Sequence, residues 1–398
     1  MASSRTIVIA GAGIGGLSAA LMLARSGFRV TLLEQAEQLQ ETGAGIQLSP
    51  NATRILIALG LGERLRRDAS IPQAIAIKTA TGQPLARIPL GDEAAQRYGA
   101  PYWSIHRGDL QATLVEAVQG EPGIALHLGT RVENFAVHAN AVSIAGQQGS
   151  ATVEHEGIAL IGADGLWSAL RAKLGHRAPP QFQHRTAWRA MVPTAMVQPA
   201  FRTAEAQLWL GQDAHLVHYP VKSGAQINIV AIVTDRWAEP GWSAEGRRGD
   251  LLARYSRWSE PARRFLAVPE RWQKWALYDL PPLHRWSDGP VTLLGDAAHP
   301  MLPFLAQGAA MAIEDAAVLA NNLSRHPDDP TAAMQRYEQS RRDRTARVQH
   351  AARSNGRIYH AGAGAAFRNL FLRLAGGNRM LARYDWLYDE RLMPPDGR

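Results

Sequence analysis

The sequence predicts an α/β protein in which a parallel-sheet domain is interleaved with a β-sheet-rich domain and followed by C-terminal helices. Two observations lead to this fold class. Residues 7–34 contain an apolar strand, a glycine-rich turn, an Ala/Leu-rich helix and a second apolar strand, in the order of a βαβ unit. Residues 184–280 show strand-like alternation and several tryptophans, and strand-to-helix segments return after them. The segments of the parallel-sheet domain therefore lie before and after the β-rich segment along the chain.

The glycine-rich turn has the spacing Gly11-x-Gly13-x-x-Gly16. The first glycine permits a tight turn, the second lets a pyrophosphate approach the backbone, and the third lets the helix pack closely on the sheet. The helix N-terminus adds free N–H groups and the positive end of the helix dipole. Glu34 ends the second strand, where a carboxylate can bind ribose hydroxyls. These features predict a Rossmann-like dinucleotide site whose phosphate-binding residues are Gly11, Gly13, Ile14, Gly15 and Gly16.

The remaining elements follow from hydrophobic periodicity and from glycine and proline punctuation. Helical patterns cover residues 52–59, 107–118 and 308–323, and the chain from residue 331 onward is mainly helical. Residues 70–100 resemble strands joined by a turn, and short apolar strands precede residues 164 and 296. This organisation predicts three parts: a discontinuous cofactor-binding domain (residues 1–70, 101–180 and 281–350), a β-rich substrate-binding domain (71–100 and 181–280) and a C-terminal helical segment (351–398).

Composition argues against several classes of protein. The 398 residues include no cysteine, which excludes disulfides, thiolate catalysis and iron–sulfur clusters and makes a reducing cytoplasm the expected location. Residues 7–24 are uncharged, but their four glycines argue against a membrane span. The formal net charge of +8 suits anionic cofactors and a carboxylate substrate. Because the arginines are dispersed, nucleic-acid binding is not predicted, and the densest cluster, in residues 341–347, is interpreted as a solvated helix face.

Two aspartates follow apolar strands. Asp164 comes after the run Ile-Ala-Leu-Ile, and Asp296 comes after Val-Thr-Leu-Leu and a glycine. Ligands of open α/β sheets bind beyond the carboxyl ends of the strands, so both aspartates are candidates for cofactor contacts. The alternative is that they are only helix N-caps. The helix that begins near Gly308 and Ala309 presents free N–H groups, which suit a pyrimidine carbonyl edge that becomes anionic on reduction.

Together these motifs resemble the FAD-dependent aromatic hydroxylases (single-component flavoprotein monooxygenases), in particular the salicylate, 3-hydroxybenzoate and 6-hydroxynicotinate hydroxylases. The resemblance spans residues 6 to about 360 and is most specific in HPMLPFLAQGAAMAIEDA, residues 299–316. It implies a Rossmann-like FAD-binding domain with a bound, non-covalent FAD. Beyond the phosphate-binding glycines, the residues that the resemblance assigns to FAD are Glu34, Gln47, Arg107 in the segment His106-Arg107-Gly108-Asp109-Leu110, Asp164, Asp296, Pro300, Gly308 and Ala309.

The resemblance also implies a reaction. NADH or NADPH binds transiently and reduces FAD, and reduced FAD takes dioxygen to a flavin hydroperoxide that hydroxylates a small aromatic substrate of the hydroxybenzoate or salicylate type. No metal is expected, and the protein is expected to be a monomer or a homodimer. The choice between NADH and NADPH stays open.

His215 and Tyr219 are the candidate catalytic residues. The resemblance assigns to His215 the role of base for the substrate's phenol, a step that a base of near-neutral pKa assists; a structural strand histidine is the alternative. His215 and His218 are three residues apart on a strand and so should face opposite sides, which argues against a shared metal site. Tyr219 is expected to share the face of His215 only loosely, through a bulge at Pro220.

Four further residues bear on the substrate and the chemistry. Arg189 is a candidate partner for a substrate carboxylate or the flavin, with a surface salt bridge as the alternative. Pro303 is shared with salicylate hydroxylase, whereas the 3-hydroxybenzoate enzyme has glutamine there, and Gln47 stands where 6-hydroxynicotinate enzymes have histidine. These differences favour a hydroxybenzoate-like substrate. His299 is a second candidate base, although its position three residues after an aspartate favours a role in ordering the flavin loop.

Three other functions stay open. An FAD-dependent reductase or dehydrogenase would share these motifs and transfer no oxygen. A hydroxypyridine carboxylate could take the place of the hydroxybenzoate. A flavin-loaded binding or sensor protein would hold FAD without turnover.

Overall fold

The computed structural model describes residues 5–39, 44–237 and 244–395. In chain order its strands are β1 (Thr6–Ala10), β2 (Arg29–Leu33), β3 (Gly45–Leu48), β4 (Ala74–Thr79), β5 (Pro84–Pro89), β6 (Trp103–His106), β7 (Ile124–His127), β8 (Thr130–Val137), β9 (Val142–Gln148), β10 (Ala151–Gly157), β11 (Ala159–Gly162), β12 (Gln181–Pro193), β13 (Ala206–Leu210), β14 (Ala214–Val221), β15 (Gln226–Thr234), β16 (Ala244–Gly246), β17 (Trp272–Asp279) and β18 (Val291–Leu293). Its α-helices are α1 (Ile14–Arg25), α2 (Pro50–Ala58), α3 (Gly62–Asp68), α4 (Gly91–Tyr98), α5 (Arg107–Gln119), α6 (Ala169–Lys173), α7 (Arg248–Arg254), α8 (Glu260–Leu266), α9 (Gly308–Arg325), α10 (Pro330–Tyr359), α11 (Ala365–Leu374), α12 (Gly377–Ala382) and α13 (Asp385–Tyr388).

A five-stranded sheet in the order β18-β11-β1-β2-β7 forms the first layer, and every neighbouring pair in it is parallel. Its three central strands consist largely of fully buried apolar residues, because helices pack over the sheet. Since all five strands run in one direction, the turns after β1, β2, β11 and β18 meet at the same edge. This arrangement confirms the predicted α/β class and its parallel sheet.

The second large sheet contains eight strands in the order β16-β17-β12-β15-β14-β13-β4-β5. Its pairings are antiparallel except for β13 with β4. Strands from residues 74–89 therefore join strands from residues 181–279 across a long intervening stretch of chain. Two smaller sheets, β10-β9-β8 and β3-β6, complete the strands.

The pairing register defines one face of the eight-stranded sheet. His215 on β14 pairs with Ile232 on β15, which pairs with Ala187 on β12. Directly opposed residues point to the same side of a sheet, as do residues two apart on one strand. Arg189 and Tyr219 therefore share the face of His215.

Several helices differ from the sequence-based expectation. Residues 91–98 form α4 instead of strand and turn, with acidic residues in its first turn and Gly99 in the left-handed conformation at its end. The strand-rich stretch also contains α7 and α8. The helix α10 passes through residue 350, where the sequence-based division placed a boundary, and residues 396–398 lie outside the described residues. None of the helices described here has the length and apolar character needed to cross a membrane.

Buried charges join α9 to α10. Arg341 Nη1 donates to Glu314 Oε2 at 2.6 Å, and its Nε donates to Asp315 Oδ1 at 2.7 Å, with all three residues buried. Arg344 also donates to Glu314, at 2.8 Å, whereas Arg347 is exposed. The interpretation of this arginine cluster as a solvated helix face is therefore wrong for Arg341. Two carboxylates of α9 lie in the core, where a charge is tolerated only when it is paired.

Candidate active site

The glycine-rich turn lies at the carboxyl edge of the parallel sheet. Gly11 has φ of +106°, a conformation that favours glycine, and a Cβ at Gly16 would overlap the carbonyl oxygen of Gly11. A Cβ at Gly13 would instead meet no atom within 4 Å among the described residues. Gly13 precedes α1 without a side-chain cap, so the first N–H groups of the helix face an open cleft. Glu34 Oε2 accepts the Ala12 N–H at 2.7 Å, which fixes the carboxylate beside this turn.

Ile14 and Gly15 are the first two residues of α1, and both contribute to its packing. Ile14 is buried. A Cβ at Gly15 would lie 2.7 Å from Leu294 Cδ2 and 3.1 Å from Ala312 Cβ, so the missing side chain allows α1 to pack closely against α9 and the strand β18. Close helix packing is thus one function of this glycine, next to any contact that its N–H makes with a ligand.

The two predicted aspartates have different environments. Asp164 Oδ2 accepts the Leu170 N–H at 3.1 Å as a helix cap, while its Oδ1 has no hydrogen-bond partner among the described residues. Burial raises the pKa of Asp164. Asp296 is exposed, and a Cβ at Gly308 would lie 3.8 Å from its Oδ1. Asp296 therefore lies beside the first residue of α9, in a cleft open to a ligand, and the positive charge of Arg107 acts on it.

The start of α9 forms the other side of this cleft. Gln307 precedes the helix without a side-chain cap, so the N–H groups of Gly308 and Ala309 have no partner from such a cap. Pro300 lies in the loop before the helix, and its carbonyl oxygen accepts a hydrogen bond from Gln349 Nε2 on α10 at 2.7 Å. The loop is thereby fixed to the long C-terminal helix.

His299 also stabilises this loop. Its Nε2 lies 2.5 Å from Asp315 Oδ2, and the same oxygen accepts the Gly295 N–H at 3.1 Å. The carboxylate bonded to His299 is therefore Asp315 on α9, rather than the Asp296 that its position in the sequence suggested. These contacts connect the end of β18 with α9.

A cavity of about 100 Å³ lies next to this cleft, between the eight-stranded sheet and the loop before α9. It combines apolar walls with one imidazole, two amide side chains and several phenol groups. Its lining residues are Gln47, Ile75, Tyr102, Ala206, Gln207, Leu208, His215, Val217, Pro303, Phe304, Leu305, Ala306, Tyr359, Tyr384 and Tyr388. The predicted residues Gln47, Pro303 and His215 therefore lie around one cavity.

His215 is buried in the wall of this cavity and is bonded to a second histidine. Its Nδ1 lies 2.6 Å from Nε2 of His360, which follows the end of α10. The backbone carbonyl of His215 accepts the hydroxyl of Tyr255 at 2.8 Å. Burial, then the neighbouring His360 and the positive charge of Arg185, lower the pKa of His215 well below its ordinary value. Burial likewise lowers the pKa of His360, to about 3, so both imidazoles are neutral at pH 7.

His218 lies on the opposite face of β14, as the spacing predicted. It accepts a hydrogen bond from Trp209 Nε1 at 3.2 Å and contacts the ring of Phe265 in a separate apolar core. Tyr219 returns to the face of His215 by regular two-residue alternation. The pairing of β14 with β15 continues without interruption through Pro220, so the expected bulge is absent.

Tyr219 contacts Gln47, which lines the cavity, although Tyr219 itself does not. Burial raises the pKa of Tyr219 to about 12, against the opposing effects of Arg189 and of a hydrogen bond with Gln47. Gln47 Oε1 also accepts the hydroxyl of Tyr102 at 2.6 Å. Tyr219 is therefore a neutral hydrogen-bonding group. Arg189 stacks on Trp275, with its Cζ 3.8 Å from the ring centroid, and lies on the same sheet face without lining the cavity.

Sequence reasoning did not find His360 or the cavity tyrosines Tyr102, Tyr359, Tyr384 and Tyr388. Burial raises the pKa of all four phenols, so they are neutral. The only local signal is the four-residue spacing of Tyr384 and Tyr388, which places two aromatic side chains on one helix face. Nothing in that spacing shows that the face reaches a cavity near residue 215.

Comparison with known proteins gives consistent results. The family described as FAD binding domain matches residues 4–352. The chain is 38% identical over 384 residues to the 3-hydroxybenzoate 6-hydroxylase of Polaromonas naphthalenivorans (strain CJ2), covering 96% of this chain and 95% of that protein. Among solved structures, Klebsiella pneumoniae HpxO complexed with FAD and uric acid has a TM-score of 0.85 at 26% identity, covering 96% of both chains. A salicylate hydroxylase substrate complex has a TM-score of 0.82 at 27% identity, covering 98% of this chain and 96% of that chain.

Proposed function

This chain belongs to the FAD binding domain family of flavoprotein hydroxylases, and from that premise we propose that its substrate is a hydroxylated aromatic carboxylate with a single ring. The reaction class is FAD-dependent aromatic-ring monooxygenation: NAD(P)H, dioxygen, a proton and the aromatic compound give the hydroxylated ring, NAD(P)⁺ and water. The observation that carries the substrate class is the lining of the small cavity beside His215, where apolar walls suit a ring and one imidazole, two amide side chains and several phenol groups suit its polar substituents.

The residues of this chain fit FAD. An open position beside Gly13 and the uncapped start of α1 suit a pyrophosphate, and Glu34 at the end of β2 suits a ribose. The unpartnered Oδ1 of Asp164 and the exposed Asp296 supply acceptors for further hydroxyl groups. Bound FAD supplies the electron-transfer and oxygen chemistry, while the protein orients the substrate, excludes water and handles the proton.

His215 is the proposed base for the substrate's phenol. Burial keeps His215 neutral, the form that can accept a proton, but the lowered pKa also makes it a weaker base than an ordinary histidine, so proton transfer requires stabilisation of the resulting imidazolium. In the tautomer that we propose, His215 Nδ1–H donates to His360 Nε2, which leaves His215 Nε2 as the acceptor at the cavity. The proton that the phenol loses then resides on His215 Nε2, and the bond to His360 stabilises the resulting imidazolium.

Arg189 and Tyr219 are proposed to orient the substrate. Tyr219 is neutral and shares a sheet face with His215, so its hydroxyl can hydrogen-bond a carboxylate or a phenol oxygen. Arg189 lies on the same face and adds positive potential that favours a carboxylate substrate over a neutral phenol.

NAD(P)H-dependent oxygen uptake and product identification test this function. The purified, FAD-loaded protein is offered hydroxybenzoates, hydroxypyridine carboxylates, neutral phenols and a bicyclic purine with each nicotinamide. We expect a hydroxylated product from a single-ring hydroxybenzoate, with weaker turnover of the corresponding neutral phenol. Hydrogen peroxide as the only oxygen product across the panel would indicate a reductase instead of a hydroxylase, and efficient turnover of the purine would contradict the proposal of a single-ring substrate.

A further inference from the structure

The helix α11 exposes an apolar face to the outside of the molecule. Phe367, Leu370, Phe371 and Leu374 are 78%, 56%, 46% and 73% exposed. Their spacing of three and four residues places all four on one side of the helix. The opposite side is turned inward, where Arg368 is buried and donates to the carbonyl oxygens of Ile358 and Tyr359 at the end of α10. The usual orientation of an amphipathic surface helix is therefore reversed, and a contiguous exposed apolar stripe of this kind marks an interaction surface.

The chain around this helix is strongly basic. Residues 344–384 contain eight arginines and neither aspartate nor glutamate. The whole protein has 43 basic and 35 acidic residues, so the 35 basic residues outside this segment equal the acidic ones. The segment therefore contains the whole formal net charge of +8.

Several of these arginines are exposed and available to a partner, and two of them lie at the apolar stripe: Arg373, on α11 itself, and Arg383. Arg357, Arg373 and Arg379 are exposed, and no carboxylate of the described residues lies within ion-pair distance of them. Arg383 is also exposed, and its guanidinium lies 5.6 Å from the ring centroid of Phe371. Positive charge and exposed aromatic surface thus occur on one surface of the protein.

We propose that this surface, the α11 face (Phe367, Leu370, Phe371 and Leu374 with Arg373 and Arg383), docks on an anionic lipid bilayer. Aromatic and leucine side chains on one face of a helix enter the boundary between headgroups and acyl chains, and neighbouring arginines contact lipid phosphates. A second copy of this chain is the less favourable occupant, because a symmetric contact would bring two acid-free, arginine-rich segments together. The attachment is peripheral, by a helix lying in the plane of the interface.

Vesicle co-sedimentation with the full-length, FAD-loaded protein tests the docking. The probes are phosphatidylcholine vesicles with and without phosphatidylglycerol, at low and high salt. We expect sedimentation with the anionic vesicles only, and weaker binding at high salt because ions screen the arginines. No sedimentation with anionic vesicles at low salt would overturn the proposal.

Matched variants separate the α11 face from other exposed residues. The double variant Phe367→Ser/Leu374→Ser should weaken partitioning about tenfold or more, whereas Val137→Ser, at a 48% exposed position on β8, should leave it unchanged. Arg373→Gln should weaken it roughly fivefold, and Arg336→Gln, on an exposed part of α10, should not. If a control variant lost as much vesicle binding as its matched α11 variant, the assignment of lipid binding to the α11 face would be contradicted. A dimer in light scattering that the Phe367→Ser/Leu374→Ser variant abolishes would assign the face to a second copy and overturn the lipid proposal.

Discussion

At the scale of single residues, the two histidines of β14 show how strand alternation separates roles. His215 and His218 are both buried and both have a pKa lowered by burial. His215 faces the cavity and His360, whereas His218 faces Trp209 and a separate apolar core. The same residue type on the same strand is thus available to a substrate at one position and confined to packing at the other.

Replacing His215 tests its proposed role as base. His215→Ala should lower the rate of hydroxylation by about 10²–10⁴-fold, the usual effect of losing a general base. FAD binding and the substrate-free rate of flavin reduction should change little, because other segments of the chain form the cofactor cleft. Stopped-flow measurement of both steps checks this, and raising the pH toward the pKa of the substrate's phenol should partly restore the rate.

His218→Ala is the matched control on the same strand. It removes a buried side chain and should reduce stability while leaving the rate of hydroxylation per folded, FAD-loaded molecule nearly unchanged. His360→Gln keeps an acceptor for the His215 Nδ1–H and should be milder than His360→Ala. Equal losses of hydroxylation in the His215 and His218 variants would show that the effect is structural.

At the scale of elements, the glycine-rich turn was predicted well because its constraints are local. The tight turn, the close packing of the helix and the access of a pyrophosphate to the backbone each require glycine at one position. The spacing of the glycines in the sequence therefore predicts the local geometry. The helix α4 was missed although its acidic N-terminus and Gly99 are helix signals, because the strand-and-turn pattern before it was extended through residue 100.

Two substitutions in this turn should have opposite phenotypes. Gly13 has φ of −71° and space for a Cβ, so Gly13→Ala should fold with stability within about 1 kcal/mol of the parent. The added methyl group occupies the open approach, so FAD affinity should fall at least about tenfold. Gly16→Ala should reduce folding itself, since its Cβ overlaps the Gly11 carbonyl. Urea unfolding and FAD titration separate the two effects, and a Gly13→Ala protein with unchanged FAD affinity would contradict the proposed pyrophosphate position.

The buried charges between α9 and α10 make a second prediction at this scale. Arg341→Ala leaves Glu314 and Asp315 buried with fewer partners, and removing one partner of a buried ion pair costs about 3–5 kcal/mol. The adjacent Arg342→Ala removes a half-exposed side chain and should cost about 1 kcal/mol or less. Urea unfolding of both variants checks the difference. Similar stabilities would mean that Arg341 contributes no more than a surface arginine.

At the scale of the whole molecule, the cavity could not be predicted from sequence alone. Its walls come from β3, β13, β14, the loop before α9, the end of α10 and α13, which are separated by up to hundreds of residues. No local periodicity encodes which of these segments meet. The resemblance to known hydroxylases supplied His215, Gln47 and Pro303, whereas His360 and the tyrosines required the folded chain. The buried Arg341 was missed for the same reason, since the two carboxylates that pair with it lie on another helix.

Three buried histidines with lowered pKa values, His215, His218 and His360, predict how the stability of the whole protein depends on pH. Burial lowers the pKa of His215, His218 and His360, to about 3 for the latter two, whereas an unfolded histidine has a pKa of about 6.5. Below about pH 6.5 the unfolded chain therefore binds up to three more protons, and the free energy of unfolding should fall by up to about 4 kcal/mol per pH unit. This stability is present above pH 6.5 and is lost as the pH falls toward 3. Urea unfolding between about pH 7.5 and 5 measures this pH dependence above the range in which carboxylates titrate. The variant His218→Gln should take up about one proton fewer on unfolding than the parent. A free energy of unfolding that stays constant over this range would show that these imidazoles titrate in the folded protein as they do in the unfolded chain.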